Sequence, residues 1–125
     1  MTGAAKRVLV VEDDPDLAAL EADVLAERGH EVEVASNGKE ALAAVERRAP
    51  DLILLDMKMP VMSGREFAQE YRKREPHAAP IIVVTAADDA QRRAAEVGAS
   101  AWIGKPFDPE ALVEKVASLL EPMPR

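Results

Sequence analysis

Three short apolar runs dominate the pattern of hydrophobic and polar positions along the chain. They cover residues 8–11, 52–55 and 81–84. Each is too short for a helix and is followed by polar residues, a pattern typical of strands buried on both faces. Two weaker segments, residues 31–35 with alternating charges and residues 101–103, predict edge strands. The sequence therefore predicts five strands, three central and two at the edges.

The first segment between the strands has the pattern of an amphipathic helix. Pro15 suits a first helical turn because its ring fixes φ. Leu17, Leu20 and Val24 follow at helical spacing, and Gly29 marks a stop. This spacing predicts a helix between the first two strands.

Four further helices are predicted from the remaining segments between and after the strands. One runs from about residue 88 to 97 and ends at Gly98, although no residue gives it a sharp start. The other three begin at capping signals. These are Asn37 with Glu40, Ser63 with Glu66, and Asp108 with Pro109 and Glu110.

Strands that alternate with helices predict an α/β fold, a doubly wound parallel sheet with helices on both faces. Five strands and five helices, with strands two and five at the edges, favour the flavodoxin-like strand order 2-1-3-4-5. The 125 residues are the usual size of one domain. We expect a single domain with a core of about residues 6–120, a short tail at 121–125 and no output domain.

Composition and charge exclude several classes of protein. With 23 acidic against 16 basic residues, the net charge of −7 opposes direct nucleic-acid binding. The absence of Cys excludes thiolate metal sites and thiol nucleophiles. That absence also fits a reducing compartment, so a cytoplasmic location is expected. No apolar run approaches the ~20 residues that span a bilayer, so we expect a soluble protein.

Charged and hydroxyl-bearing residues come directly after the predicted strands. Glu12 and Asp13 follow the first, Asp56 the third, Thr85 the fourth and Lys105 the fifth. The topology brings these residues to the carboxyl edge of the sheet. Clustered carboxylates need a compensating cation, and their hard oxygens suit Mg²⁺. An Asp carboxylate is also a competent nucleophile toward phosphoryl groups.

Two other acids are expected to have structural roles. Asp14 precedes Pro15 and favours the positive end of the first helix. Asp51 opens its strand at the edge opposite the predicted site, where a cap or turn role is expected.

Four separated motifs, in order, resemble the receiver domain of bacterial two-component response regulators, and the resemblance covers nearly the whole chain. It implies a signalling protein rather than an enzyme, in which Asp56 accepts a phosphoryl group from a sensor histidine kinase or a histidine phosphotransfer protein. Such a protein assists its own phosphorylation and autodephosphorylation. The motifs are VVEDD at 10–14, LLDMKMP at 54–60, VTA at 84–86 and KPF at 105–107.

The same resemblance implies a role for each residue of the metal site. Asp13 and Asp56 would ligate Mg²⁺ directly, together with the backbone carbonyl of Lys58, and Glu12 would act through bound water. Mn²⁺ is an alternative ion. Position 58 also bears on the lifetime of the phosphorylated state.

The resemblance also implies roles for a second group of residues, in phosphoryl binding and in switching. Thr85 and Lys105 would contact the phosphoryl oxygens, and the bond between Lys105 and Pro106 would be cis. Thr85 and Trp102 would couple phosphorylation to the face formed by the fourth helix, fifth strand and fifth helix. That face would bind a downstream protein, or the phosphoryl group would be relayed onward. The chain would be a monomer or a phosphorylation-dependent dimer.

Three other functions are compatible with this fold to different degrees. A receiver-like module that binds partners without phosphorylation is opposed by the intact set of site residues. A small Mg²⁺-dependent phosphatase with an Asp nucleophile would need a second Asp at position 58, which is Lys, and a substrate-enclosing cap. A flavin-binding electron carrier needs phosphate-binding donors after strand one, where this chain has three acids.

Overall fold

The computed structural model describes residues 6–120, so the expected tail at 121–125 lies outside the described residues. Its parallel sheet has the strand order β2-β1-β3-β4-β5, which confirms the predicted topology. The strands are β1 (Arg7–Val11), β2 (Glu31–Ala35), β3 (Leu52–Asp56), β4 (Ile81–Ala86) and β5 (Ala101–Lys105).

A helix follows each strand. Within residues 6–120, no helix is both long and apolar enough to cross a lipid bilayer. The helices are α1 (Pro15–Ala26), α2 (Gly38–Arg47), α3 (Gly64–Arg74), α4 (Ala87–Val97) and α5 (Pro109–Leu120).

The sheet separates two hydrophobic cores. Successive side chains of a strand point to opposite faces, so Val8 and Val10 enter one core while Leu9 and Val11 enter the other. The first core lies under α1 and α5, and the second lies under α2, α3 and α4. The central strands are buried on both faces, as their uninterrupted apolar runs predict.

The strands extend further toward their carboxyl ends than the apolar runs predict. Asp56 is the last residue of β3, Thr85 lies within β4, and Lys105 ends β5, so none of the three follows its strand. Gly104 pairs with Thr85 and Lys105 with Ala86, and this pairing prolongs β5 past Ile103. Backbone pairing does not require apolar side chains, so the apolar pattern underestimates the strand length.

The buried face of α1 is not the line of apolar residues that marks the helix in the sequence. Ala18, Glu21 and Leu25 face the sheet, whereas Leu20 is 41% exposed and Leu17 is half-buried. The helix is therefore rotated by about one position relative to the line through its apolar residues. This rotation places a carboxyl group inside the fold.

The predicted caps are present, with one difference. Ser63 and Glu66 form a reciprocal capping box at the start of α3. Asn37 Oδ1 accepts from the Glu40 N–H at 2.9 Å, but the Glu40 carboxylate accepts from the N–H and Oγ of Ser36 instead of closing the box. The first turn of α5 donates to Asp108, through the Glu110 N–H at 3.1 Å.

Candidate functional site

A cavity of about 620 Å³ opens at the carboxyl edge of the sheet. Its polar wall contains all five side chains that the sequence places there, and its apolar wall comes from α1 and the segment after β5. The lining residues are Glu12, Asp13, Asp14, Leu17, Leu20, Asp56, Lys58, Thr85, Ala86, Lys105, Pro106 and Phe107.

Three carboxylates meet in this cavity. Glu12, Asp13 and Asp56 each offer an oxygen within 4.8 Å of the others. Glu12 and Asp56 are buried, at 2% and 4% exposure, whereas Asp13 is exposed and gives access from solvent. Hard oxygen donors at this spacing fit a divalent cation such as Mg²⁺.

Lys105 is the permanent cation of the site. Its Nζ lies 3.1 Å from Glu12 Oε1 and 3.6 Å from Asp56 Oδ1. Burial opposes the charged form of the lysine, but the attraction of Asp56 and Glu12 outweighs it and raises the pKa of Lys105. The ammonium is thus held charged beside two buried carboxylates.

The Asp56 carboxyl group is subject to opposing influences on its pKa. Burial is the largest cause and, with repulsion from Glu12, raises the pKa of Asp56 to about 7, although Lys105 opposes the shift. The Lys58 N–H donates to Asp56 Oδ1 at 3.2 Å and also favours the ionised form. A bound divalent cation would favour that form further.

The loop after β3 is held close to Asp56 by a glycine. A Cβ at Gly64 would lie 2.5 Å from the carbonyl oxygen of Asp56, so only glycine allows α3 to begin there. The Gly64 N–H donates to the carbonyl of Met57 at 3.3 Å. These contacts fix the loop that carries Lys58, whose side chain is exposed.

Thr85 and Trp102 occupy different surroundings. Thr85 is buried and lines the cavity. Trp102 is 42% exposed and is not part of the cavity lining. Its neighbour Ile103 packs in the core under α1 and α5, so strand alternation directs Trp102 to the other face of the sheet, the side covered by α4. The peptide bond between Lys105 and Pro106 is cis.

Sequence reasoning missed Glu21. This side chain of α1 is 1% exposed, and its Oε2 has no hydrogen-bond partner. Burial, followed by repulsion from Glu12, raises the pKa of Glu21 to about 8, against the attraction of Lys105. A signal existed in the spacing, because Glu21 lies four residues from both Leu17 and Leu25 on one helical stripe.

Asp14 and Asp51, the two acids expected to have structural roles, both accept hydrogen bonds from backbone N–H groups. Asp14 caps α1, accepting from the N–H groups of Asp16 and Leu17 at 3.0 and 3.3 Å. Asp51 accepts from the Arg7 N–H at 2.7 Å at the amino edge of the sheet.

Comparison with known proteins identifies the class to which this fold and site belong. The sequence profile of the response regulator receiver domain matches residues 8–117. The chain therefore belongs to the response regulator receiver family. Receiver domains are signalling modules that generally bind Mg²⁺ at an acidic site, and this chain has an acidic cluster of Glu12, Asp13 and Asp56 in its cavity.

Curated relatives are longer than this chain. A response regulator receiver protein of Anaeromyxobacter sp. (strain Fw109-5) is 40% identical over 102 residues, which are 81% of this chain and 43% of the relative. The DNA-binding response regulator MtrA of Mycolicibacterium smegmatis is 38% identical over 117 residues, 92% of this chain and 50% of the relative. The chain thus spans about half the length of these relatives.

Solved structures share the whole fold. The chemotaxis protein CheY4 of Vibrio cholerae has a TM-score of 0.84 and 34% identity, covering 94% of this chain and 100% of that one. A CheY-like receiver domain protein of Methanospirillum hungatei has a TM-score of 0.83 and 33% identity, with 94% of each chain covered.

Proposed function

We propose that this receiver domain accepts a phosphoryl group on Asp56 from a phosphohistidine of a sensor histidine kinase or a histidine phosphotransfer protein. The observation that carries the proposal is the meeting of the buried Asp56 carboxylate with Glu12, Asp13 and Lys105 in one cavity. Membership of the receiver family indicates that the phosphoryl donor is a phosphohistidine.

The transfer exchanges one bond to phosphorus for another. A carboxylate oxygen of Asp56 forms the new P–O bond as the P–N bond to the donor imidazole breaks. A proton taken up by the imidazole lets it leave as the neutral ring. The ionised form of Asp56 is the nucleophile, so the interactions that keep this carboxyl deprotonated increase its reactivity.

The acidic group supplies the metal site of the reaction. Asp13, Asp56 and the backbone carbonyl of Lys58 would hold Mg²⁺, with Glu12 acting through bound water and Mn²⁺ as an alternative ion. When bound, the cation neutralises charge on the phosphoryl oxygens. Two negative charges already lie beside Lys105. Without the metal, these charges would therefore repel the anionic phosphoryl group of the donor.

In this proposal, two side chains would contact the remaining phosphoryl oxygens. The Lys105 ammonium lies 3.6 Å from Asp56 Oδ1 and provides a fixed cation. The Thr85 hydroxyl lines the same cavity and provides a neutral donor. Lys58, two residues after the phosphoacceptor, has an exposed side chain and bears on how long the phosphorylated state lasts.

The output is a change in protein binding or a relay of the phosphoryl group. Thr85 and Trp102 link the cavity to the face formed by α4, β5 and α5, and phosphorylation would bias two packings of that face. A downstream protein, or a second copy of the chain, would bind the phosphorylated form.

Intact mass spectrometry tests the chemistry directly. The chain is incubated with acetyl phosphate, with and without Mg²⁺, alongside the variants Asp56→Asn and Asp51→Asn. Asp51 is a matched control because it is an exposed aspartate at the opposite edge of the sheet. We expect a single phosphoryl adduct that requires Mg²⁺ and Asp56 and is retained in Asp51→Asn.

The same experiment has a clear negative outcome. If the folded chain forms no adduct while a control receiver is labelled, the phosphoacceptor proposal is wrong. The fold would then serve as a phosphorylation-independent binding module.

A further inference from the structure

The loop that follows β3 contains a strained turn. The Met62 N–H donates to the carbonyl of Pro60 at 2.7 Å, across Val61, whose φ is +70°. A three-residue turn with a positive central φ is rare, and that conformation is costly for a β-branched residue. Val61 is also 74% exposed, so burial of its own side chain does not stabilise the turn. Contacts on either side of Val61 must therefore hold it.

The amino end of α2 lies directly against this turn. The N–H of Gly38, the first residue of α2, donates to the Met62 carbonyl at 3.3 Å. Like the other N–H groups of a first helical turn, it has no acceptor within the helix, so the loop carbonyl satisfies it. A Cβ at Gly38 would lie 2.9 Å from the Met62 carbonyl oxygen and 2.7 Å from Met62 Cγ. Only glycine therefore allows α2 to begin this close to the loop.

Both partners in this contact are fixed by other interactions. The side chain of Asn37 caps α2 by accepting from the Glu40 N–H at 2.9 Å, and the Glu40 carboxylate accepts from the Ser36 N–H at 2.9 Å. Gly38 itself is buried. The half-buried Met62 side chain packs against the core under α2, α3 and α4. The turn is thus packed against a capped helix end.

Lys58 lies between this contact and the end of β3. The carbonyl of Met57, just before it, accepts from the Gly64 N–H at 3.3 Å. That bond holds the start of the loop, and the contact between Met62 and Gly38 holds the far side of the turn. If the second contact were lost, the backbone at Lys58 would be held from one side only.

From these contacts we infer that Gly38 is a positioning residue for the Mg²⁺ site: because it lets α2 hold the turn at Met62, it keeps the backbone carbonyl of Lys58 in place for the ion. The inference rests on the proposed function, which assigns that carbonyl to the metal. Gly38 does not line the cavity, so it acts through the loop. Groups that orient a metal ligand from outside change metal affinity by roughly 10–100-fold when they are mutated.

Isothermal titration calorimetry with Mg²⁺ tests the inference. Gly38→Ala places a methyl group against the Met62 backbone, and we expect the Kd for Mg²⁺ to rise by about tenfold. Ala44→Gly is the matched control, because it changes one methyl group at a buried position of the same helix. Its Kd should equal that of the native chain. An unchanged Kd in Gly38→Ala, or an equal rise in the control, would overturn the inference.

Amide hydrogen exchange in EDTA provides a measurement that needs no metal. In Gly38→Ala the amides of residues 58–63 should exchange about tenfold faster, because the contact that holds the far side of the turn is lost. In Ala44→Gly these amides should exchange as in the native chain. Unchanged exchange of this segment in Gly38→Ala would contradict the role of Gly38 in holding the loop.

Two substitutions within the turn sharpen the test. Met62→Ala keeps the backbone bond to Gly38 but removes the packed side chain, and should raise the Kd by about threefold. It covers the case that Gly38→Ala does not fold, and an unchanged Kd in Met62→Ala would then overturn the inference. Val61→Gly removes the strain but keeps the contact with α2, and should leave the Kd unchanged. A rise in Val61→Gly as large as in Gly38→Ala would show that the stiffness of the turn, not α2, positions Lys58.

The two proposals fail in distinguishable ways. A native chain that binds no Mg²⁺ contradicts the metal site of the proposed function, whereas the exchange of residues 58–63 in EDTA does not depend on the ion. Faster exchange in Gly38→Ala together with an unchanged Kd would overturn this inference alone and leave the proposed function standing.

Discussion

The two edges of the sheet carry charged groups in opposite arrangements. At the amino edge, Arg7, Glu31, Glu33 and Asp51 lie at or near the surface, and each carboxylate has an arginine or backbone N–H partner. At the carboxyl edge, Glu12, Asp56 and Glu21 are buried. Lys105 is the one cation among the residues that shift the pKa values of Asp56 and Glu21. Paired surface charge costs the fold little, whereas excess buried charge destabilises it. The carboxyl edge is therefore the edge arranged for binding and chemistry.

Replacing Glu21 should have the largest effect on the free energy of unfolding. In the folded chain the pKa of Glu21 is raised from 4.5 to about 8, so the carboxyl penalises the fold increasingly as pH rises from 4.5 to 8 and by a constant amount above that. Glu21→Gln should leave stability near pH 4.5 unchanged and raise the free energy of unfolding at pH 8.5 by roughly 5 kcal/mol.

Urea denaturation of Glu21→Gln across this pH range measures the effect. Asp23→Asn, an exposed acid on the same helix, is the control and should follow the native chain. A pH profile of Glu21→Gln parallel to that of the native chain would contradict the assignment of the buried charge.

Asp56→Asn should give a somewhat smaller effect that depends on the metal. Without Mg²⁺, the raised pKa of about 7 means that ionised Asp56 destabilises the fold, a penalty that grows from pH 3.8 to 7. We expect the variant to be more stable than the native chain at pH 8 by roughly 4 kcal/mol.

Adding Mg²⁺ should remove most of the stability advantage of Asp56→Asn. At 100 times its Kd, a ligand stabilises the native chain by about 2.7 kcal/mol, and the variant has lost a ligand for the ion. Thermal unfolding with and without Mg²⁺ measures both parts. If Mg²⁺ raises the Tm of the two proteins equally, the metal site does not include Asp56.

The smallest effect on the free energy of unfolding is expected at the amino edge of the sheet. Asp51→Ala removes the acceptor for the Arg7 N–H, a bond of 2.7 Å between exposed groups. The free energy of unfolding should fall by about 1 kcal/mol, with the same value in Mg²⁺ and in EDTA. A Mg²⁺-dependent difference would show that the two edges are coupled, contrary to the comparison above.

The sequence predicted the strands and their order well because the determining signals are local. Four-residue apolar runs mark β1, β3 and β4, and the charges of residues 31–35 identify an edge strand. Glu12, Asp13 and Asp56 were located by the same reasoning, since parallel strands bring their carboxyl ends together.

Details set by tertiary contacts were not predictable in this way. The rotation of α1 that buries Glu21 follows from packing against the sheet, not from the apolar side chains of the helix alone. The extra length of β5 depends on backbone pairing of Gly104 and Lys105 with β4. The link from Arg72 to the end of α4 joins residues 25 and 26 positions apart, with no local pattern to indicate it.

The position of Trp102 has a practical consequence. It is the single tryptophan of the chain, it lies on β5 three residues before Lys105, and 42% of it is exposed to solvent. Indole fluorescence responds to the polarity around the ring, so the unmodified chain carries its own optical probe of the α4–β5–α5 face. A titration with Mg²⁺ and acetyl phosphate could follow that face in real time, without any attached dye.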